Sequence, residues 1–152
     1  MPETSRRGDS ALLLVSAKLV EAGITLLKPI SECLTYDLVI ADGSSFKKVQ
    51  VKRAYPIAIP RATKFKVSLR RVSMTAKGAV ARKYSEADTD FIIAAVMESN
   101  DIYCLPISVA GDRNSCTLNP FNMTNKFITN KKYLDLEKYK NTLSLNNVIY
   151  RL

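Results

Sequence analysis

Three polar side chains stand out in the stretch TYDLVIADGSSFKKVQVKRA (35–54), because they border two apolar runs. Asp37 lies at the start of the first run, and Gln50 and Lys52 lie near the end of the second. A carboxylate is a hard anionic ligand for Mg²⁺, and an amide or backbone oxygen can complete the shell. A bound metal stabilises charge on a phosphate and lowers the pKa of an attacking water, while a lysine neutralises the same phosphate. These residue types suit metal-assisted phosphodiester hydrolysis, although they are also common as polar residues of an ordinary hairpin.

The two apolar runs have the length and alternation of β-strands, and the turn residues DGSS (42–45) lie between them. The predicted strands are 36–41 and 46–53. If the residues flanking the loop pair with each other, Asp37 faces Gln50 across the hairpin. Lys52 then lies two residues further on the same face of its strand. We therefore predict that these three side chains converge at the open end of the hairpin.

The composition restricts the available chemistry and the cellular compartment. The chain has no histidine, which excludes Ser-His-Asp triads, Cys-His pairs and imidazole-based zinc sites. Its three widely spaced cysteines indicate neither a disulfide framework nor a zinc site, and they favour a reducing cytoplasm. No segment approaches the roughly 20 continuous apolar residues of a membrane helix, and the polar start of the chain does not resemble a signal peptide. We expect a cytoplasmic protein without a membrane span.

Positive charge is concentrated in one block of the chain. The formal net charge is +9, and residues 61–83 contain basic residues without a single carboxylate. The basic residues of this block are Arg61, Lys64, Lys66, Arg70, Arg71, Lys77, Arg82 and Lys83. Such a block favours binding of a polyanion, most simply DNA or RNA, although a solvated basic face is the simpler alternative. We take these eight residues as the candidate DNA-binding set.

The remaining elements predict one α/β domain over residues 1–152, with a core at about 8–110. A helix is expected at 10–22, capped by Asp9 or Ser10 and ended by Gly23. Further strands are expected at 24–27, 65–72, 90–97 and 102–107, a loop at 75–82, a short helix at 132–140, and an otherwise irregular asparagine-rich tail at 111–152. This order predicts a central mixed β-sheet with flanking helices. The tail could contribute DNA or subunit contacts.

The hairpin pattern of Asp37 followed by Gln50-Val51-Lys52 resembles the core motif of the PD-(D/E)xK nuclease superfamily. Tyr36 stands where the motif has proline, and Gln50 stands where it has an acid. A wider ordered set resembles the subfamily that includes homing endonucleases of bacterial group I introns: Gly8-Asp9, Gly23, Pro29, Tyr36–Val39, Val49–Lys52, Tyr84, Asp88, Asp90-Phe91 and Tyr103–Ile107. The resemblance implies a restriction-endonuclease-like fold and site-specific, Mg²⁺-dependent cleavage of double-stranded DNA. It also implies a homo-oligomer, with a tetramer favoured over a dimer.

Carried over by position, the resemblance makes Asp37 the metal-binding carboxylate and Lys52 the catalytic lysine. Gln50 would place its side-chain oxygen at the metal, and Val51 would offer its backbone carbonyl. The relatives also have a glutamate on the first helix, where this chain has Leu12. A leucine can neither bind a metal nor activate water. We therefore predict weak metal affinity and slow or absent cleavage, with DNA binding retained.

Two rival functions remain open. A Holliday-junction resolvase would share the nuclease core but would act on branched DNA of any sequence. A non-catalytic DNA- or RNA-binding protein with an inactive nuclease fold is suggested by Leu12.

Overall fold

The computed structural model describes residues 3–31, 33–59, 62–110, 113–118, 126–128, 133–135, 140–145 and 148–151. In chain order the elements are α1 (Glu3–Glu21), β1 (Thr25–Leu27), β2 (Leu38–Asp42), β3 (Ser45–Arg53), β4 (Tyr55–Ile59), β5 (Ala62–Ser68), β6 (Arg70–Thr75), β7 (Gly78–Lys83), β8 (Phe91–Val96), β9 (Asp101–Pro106), α2 (Ile107–Ala110), β10 (Ser115–Leu118), β11 (Lys126–Ile128), β12 (Tyr133–Asp135), β13 (Thr142–Leu145) and β14 (Val148–Arg151). No helix in the described part of the chain combines the length and hydropathy needed to cross a bilayer.

The central sheet has five strands in the order β1-β2-β3-β8-β9. Strands β3 and β8 run parallel, whereas the other neighbouring pairs are antiparallel. The predicted mixed sheet is therefore confirmed. Every residue of β8 is buried, because both faces of this strand are covered by other layers.

Alternate residues of the central sheet contribute to two separate hydrophobic clusters. On one face, Val49 and Ile93 pack with apolar residues of α1 such as Val15. On the other face, Ile92 and Ala94 pack with residues of a second sheet, whose order is β10-β5-β4. The layers are thus α1, the central sheet and the second sheet. A sheet covers the face on which we had expected further helices.

The β2–β3 hairpin has the predicted register. Ala41 pairs with Phe46, and one further pair, Asp42 with Ser45, closes the hairpin beyond it. The loop is therefore shorter than the four residues expected, and Gly43 has the positive φ of 58° that this tight turn requires. The open end of the hairpin is where β3 extends past the start of β2.

Helix α1 begins seven residues before the predicted start at residue 10, so the capping role predicted for Asp9 or Ser10 is wrong. Ser10 lies inside the helix, where its hydroxyl donates to the carbonyl of Arg7 at 2.9 Å. The helix end is as predicted. The N–H groups of Gly23 and Ile24 donate to the carbonyls of Val20 and Leu19, at 2.9 Å each, which is a Schellman ending.

The predicted third strand at 65–72 is in fact two strands that belong to different sheets. The break falls at Leu69, which is fully buried and whose N–H donates to the carbonyl of Asn114 at 2.9 Å. Beyond it, β6 and β7 form a separate two-stranded ribbon, so the loop predicted at 75–82 is wrong. Gly78 begins β7 with a φ of 108°.

The tail is more regular than expected. Strand β10 joins the second sheet, and β11–β12 and β13–β14 form two further hairpins. The helix predicted at 132–140 is wrong at 133–135, which is strand β12, while residues 136–139 lie outside the described part of the chain.

Candidate functional site

Asp37 directly precedes β2 and lies beside the part of β3 that extends past the first residue of β2. Its N–H donates to the carbonyl of Val49 at 2.8 Å, which continues the hairpin ladder by one bond. Its carboxylate oxygen Oδ2 accepts the N–H of Val51 at 2.8 Å and Nε2 of Gln50 at 2.5 Å. The side chain therefore satisfies a strand N–H that β2 would otherwise have paired. This brings Asp37 and Gln50 together as predicted from the hairpin register.

The other carboxylate oxygen of Asp37, Oδ1, accepts no hydrogen bond from the described residues. Burial raises the pKa of Asp37, and this effect outweighs the opposing influence of the Val51 N–H, Lys52, Gln50 and Lys28. The charged form of this carboxylate is therefore incompletely stabilised by the protein. A bound cation would supply the missing stabilisation.

Gln50 presents the nitrogen of its amide to Asp37. Nε2 donates both to Asp37 and to the carbonyl of Val51, the latter at 3.1 Å. The predicted arrangement, with the amide oxygen at a metal, requires a rotation of the Gln50 amide group that exchanges the positions of its oxygen and nitrogen. Such a rotation would also release the Val51 carbonyl from its present donor.

Lys52 lies on the side of the sheet that faces away from α1. Its Nζ donates to the carbonyl of Arg70 at 3.3 Å and lies 5.2 Å from the ring centroid of Tyr84. Burial lowers the pKa of Lys52, and the nearby charge of Asp37 partly opposes this effect. The Lys52 ammonium group therefore contacts the ribbon. It lies near the Asp37 carboxylate but forms no ion pair with it.

Two cavities meet at the Asp37–Gln50 pair. The first has a volume of about 530 Å³ and is also lined by Val51 and by Leu12 of α1. The second, of about 340 Å³, is also lined by Lys52 and Tyr84. Leu12 and Lys52 therefore line different cavities, with the Asp37–Gln50 pair common to both.

Leu12 lies where the resemblance expects a glutamate, and the fold brings this position to the first cavity. The leucine side chain is partly buried and packs against the cluster between α1 and the central sheet. It contributes hydrophobic contact to the cavity wall and no ligand.

The oxygen donors at this point are chemically suited to a hard divalent cation, since they are a carboxylate, a backbone carbonyl and an amide. Asp37, Val51 and Gln50 would supply them. The described residues contain no group of three or more histidine, cysteine or acidic side chains placed to hold a metal. The donor set therefore fits Mg²⁺ in kind but carries little negative charge.

The candidate DNA-binding residues fall into two groups. Lys64 and Lys66 lie on β5, where they alternate with buried Phe65 and Val67 and so lie on the outer face of the second sheet. The ribbon and its turn carry the remainder of the described set: Arg70, Arg71, Lys77, Arg82 and Lys83. Arg61 lies outside the described residues.

Two of these arginines have structural partners. Arg71 forms an ion pair with Asp88, with 3.0 Å between Nη1 and Oδ1, and the guanidinium of Arg70 donates to the carbonyl of Ala81 at 2.9 Å across the ribbon. Both arginines are half-buried. Among the described residues, no partner holds the charged groups of the lysines or of Arg82.

Sequence reasoning missed the roles of Tyr84 and Lys28. Tyr84 is buried beneath Lys52, and burial together with the charge of Asp37 raises the pKa of its hydroxyl. Lys28 follows β1 and lines the first cavity. Tyr84 belongs to the ordered set of the resemblance, but no local pattern indicates the role of either residue, because long-range packing places both side chains at the site.

Comparison with known proteins agrees with this geometry. The family model described as "PD-(D/E)XK endonuclease" matches residues 2–139. A solved structure of a bacterial homing endonuclease, I-Ssp6803I, superposes with a TM-score of 0.71 and 24% identity, covering 91% of this chain and 89% of that one. A search of curated proteins found no match. The restriction-endonuclease-like fold is thus confirmed, and the chain belongs to the PD-(D/E)XK endonuclease family.

Proposed function

We propose that this protein is a site-specific homing endonuclease that hydrolyses phosphodiester bonds of double-stranded DNA with a divalent metal, typically Mg²⁺. The observation that carries the proposal is the convergence of Asp37, Gln50 and Val51 beside Lys52, at the end of a hairpin in a family of endonucleases. The structural similarity to a homing endonuclease supports the finer assignment. This chain is proposed to cleave poorly, because Leu12 lies where the resemblance expects a glutamate.

Asp37 would hold the metal through its free oxygen Oδ1, and the Val51 carbonyl and the Gln50 amide oxygen would complete the protein ligands. When bound, Mg²⁺ supplies charge stabilisation on the scissile phosphate and lowers the pKa of an attacking water. The hydrogen bond from the Val51 N–H fixes the orientation of the Asp37 carboxylate before any ligand arrives. The chain's own contribution here is therefore a preorganised carboxylate.

Lys52 would neutralise or orient the same phosphate from the second cavity. Its Nζ is held by the Arg70 carbonyl and by the Tyr84 ring, both of which belong to or adjoin the ribbon. Burial lowers its pKa, so that a phosphate entering the cavity gains a poorly solvated cation as its partner. The Asp37–Gln50 pair would position the reacting phosphate between the two cavities.

The DNA partner is supported by the unpaired cations of the ribbon and the second sheet. Lys66, Lys77, Arg82 and Lys83 are exposed, and no described residue neutralises their charges. A two-stranded ribbon has dimensions that fit the major groove of B-DNA. We further propose a homo-oligomer, with a tetramer favoured, since a chain of 152 residues must reach a long target.

The decisive experiment is cleavage of a library of DNA duplexes with Mg²⁺ by the Leu12→Glu variant, followed by sequencing of the ends. We expect cuts at one recurrent site, and little or no cutting by the parent. The controls are Leu12→Gln, which has a similar size without the charge, and Leu12→Glu combined with Asp37→Asn. Absence of cutting by Leu12→Glu, with DNA binding intact, would contradict the catalytic assignment.

A second candidate is a non-catalytic nucleic-acid-binding protein, and the observation that favours it is the apolar Leu12 in the cavity of Asp37. On this alternative the parent, Leu12→Glu and Asp37→Asn would bind DNA equally and none would cut. Preferential binding of a four-way junction over a linear duplex would instead indicate a resolvase.

A further inference from the structure

A second cation shares the second cavity with Lys52. Arg71, on the ribbon strand β6, lines this cavity together with Asp37, Gln50, Lys52 and Tyr84. We infer that Arg71 is a further catalytic residue, whose guanidinium donates hydrogen bonds to a non-bridging oxygen of the phosphodiester that Lys52 also contacts. The inference rests on the proposed function and adds to it a phosphate-binding residue from the ribbon.

Strand β6 presents Arg71, and not Arg70, to this cavity. Side chains of consecutive strand residues leave on opposite faces. The guanidinium of Arg70 donates across the ribbon to the carbonyl of Ala81 at 2.9 Å. The backbone carbonyl of Arg70, which is bonded to the nitrogen of Arg71, accepts Nζ of Lys52 at 3.3 Å. This hydrogen bond therefore fixes the backbone of Arg71 close to the lysine of the site.

The ion pair of Arg71 uses only part of its guanidinium. Nη1 donates to Oδ1 of Asp88 at 3.0 Å, whereas Oδ2 of Asp88 accepts the N–H and the hydroxyl of Ser85 at 2.9 and 2.8 Å. Asp88 thus holds one nitrogen of a group that has five N–H donors. Nε is buried and has no hydrogen-bond partner in the described part of the chain. A phosphate oxygen would supply the missing acceptor, and arginine readily forms such charge-assisted bonds to phosphate.

The charges around this cavity favour a directed contact over simple attraction. The charged groups that line it are Asp37, Lys52 and Arg71, and Asp88 offsets the charge of Arg71. Burial raises the pKa of the Tyr84 hydroxyl, the charge of Asp37 raises it further, and the charge of Arg71 lowers it. The carboxylate and the guanidinium therefore both lie near this hydroxyl. Because Arg71 is already ion-paired, it acts through the geometry of its donors, for which lysine is a poor substitute.

The first test is NMR titration of the isotope-labelled parent chain with dimethyl phosphate, at constant ionic strength and without metal. The Nε–H resonance of Arg71, assigned by its loss in Arg71→Lys, should shift with saturation. The matched control is Nε–H of Arg53, which is also buried without a partner among the described residues but does not line this cavity. The Arg53 resonance should not move. Equal shifts of both resonances, or no shift for Arg71, would overturn the inference.

Substitution of Lys52 tests whether both cations bind one phosphate. In Lys52→Met, the dimethyl phosphate concentration needed to shift the Arg71 resonance should rise about tenfold, because one charge-assisted hydrogen bond is lost. An unchanged affinity would place the Arg71 contact outside the second cavity, and the inference would fail.

Cleavage in the Leu12→Glu background tests the catalytic role, with the duplex that the library experiment identifies. At saturating DNA, Arg71→Met should lower the single-turnover rate about 100-fold, the size found when one preorganised donor to a developing charge is removed. DNA affinity should change far less, and Arg71→Lys should recover only part of the rate. A loss of affinity with an unchanged saturated rate would show that Arg71 only docks DNA, which contradicts the catalytic role.

Two control variants in the same background separate this role from a structural one. Asp88→Asn retains one acceptor oxygen but removes the charge of the ion pair, and should lower the rate far less than Arg71→Met. Arg53→Met removes a half-buried arginine of β3 that does not line the second cavity, and should leave the rate unchanged. Equal losses for Asp88→Asn and Arg71→Met would assign the effect to the ion pair and overturn the inference. Thermal unfolding midpoints show whether the variants are folded.

The outcome for Leu12→Glu itself separates this inference from the proposed function. If Leu12→Glu binds DNA without cutting, the proposed function is wrong and the catalytic role of Arg71 falls with it. If Leu12→Glu cuts and Arg71→Met in that background cuts at the same rate, only the inference about Arg71 is overturned.

Discussion

The carboxylate of Asp37 accepts the backbone N–H of Val51 at 2.8 Å, at the point where β3 extends past the first residue of β2. The hydrogen bond makes one side chain part of the sheet ladder. The orientation of the candidate metal ligand is therefore set by the backbone of β3.

This relationship predicts different stabilities for two substitutions of Asp37. Asp37→Ala leaves the Val51 N–H without its acceptor and should lower the free energy of unfolding by about 1–3 kcal/mol. Asp37→Asn retains a carbonyl acceptor and removes the partly buried charge, so it should be clearly more stable than Asp37→Ala. Urea denaturation at neutral pH measures both. Equal destabilisation by the two substitutions would show that the N–H is satisfied in another way.

The raised pKa of Asp37 predicts how stability changes with pH. The folded state binds this proton more tightly than the unfolded state, whose carboxyl has the ordinary pKa of 3.8. The parent should therefore lose stability relative to Asp37→Asn as the pH rises from 3.8 through the raised pKa, and the difference should then stay constant. Metal-free denaturation curves across this range measure the effect. A difference that grows as the pH falls would contradict the raised pKa.

The lowered pKa of Lys52 predicts the behaviour of Lys52→Met. At neutral pH the folded protein must hold a charged ammonium that burial disfavours, whereas methionine has a similar length and no charge. Lys52→Met should therefore be at least as stable as the parent, although it loses the contact of the ammonium with the Tyr84 ring. The stability of the parent should rise relative to this variant between the lowered pKa and 10.5, because the unfolded state binds the proton more tightly.

The measurement is denaturation of both proteins at neutral pH and near pH 10.5. A Lys52→Met variant that is strongly destabilised at neutral pH would indicate that the ammonium stabilises the fold. In the Leu12→Glu background, Lys52→Met should abolish cleavage and leave DNA binding intact.

The unpaired cations predict the salt dependence of DNA binding. Lys66→Ala on β5 and Lys83→Ala on β7 should each flatten the slope of log affinity against log salt by about one unit, if each lysine contacts one phosphate. Lys18→Ala, near the end of α1, is the control and should leave the slope unchanged. An unchanged slope for both Lys66→Ala and Lys83→Ala would indicate that DNA binds neither the ribbon nor the second sheet.

The sequence predicted the parts of the fold that local chemistry determines. The register of the β2–β3 hairpin follows from its turn residues and strand alternation, and Gly23 ends α1 by its left-handed conformation. The start of α1 was missed because residues 3–9 are polar and have no apolar periodicity. These residues extend a helix whose later turns are stabilised because their apolar face packs on the central sheet.

The ribbon and the two cavities could not be predicted from local pattern. The strand break at Leu69 depends on a hydrogen bond to Asn114, which lies far away in the sequence. The arrangement of Leu12 and Lys52 on either side of Asp37 depends on α1, which packs on one face of the central sheet, and on the Arg70 carbonyl of the ribbon, which accepts from Lys52. Tertiary contacts of this range leave no periodic signal in the chain.

The separation of Leu12 and Lys52 by the Asp37–Gln50 pair has an evolutionary consequence. A single substitution on α1 can remove charge from the first cavity while the surroundings of the lysine and the basic ribbon stay as they were. On the proposed function, loss of cutting is then one residue away from its recovery, because the substitution disturbs neither the hairpin nor the proposed DNA surface. A lineage of such proteins could lose cleavage through a substitution at position 12 and regain it later, while DNA recognition is retained throughout.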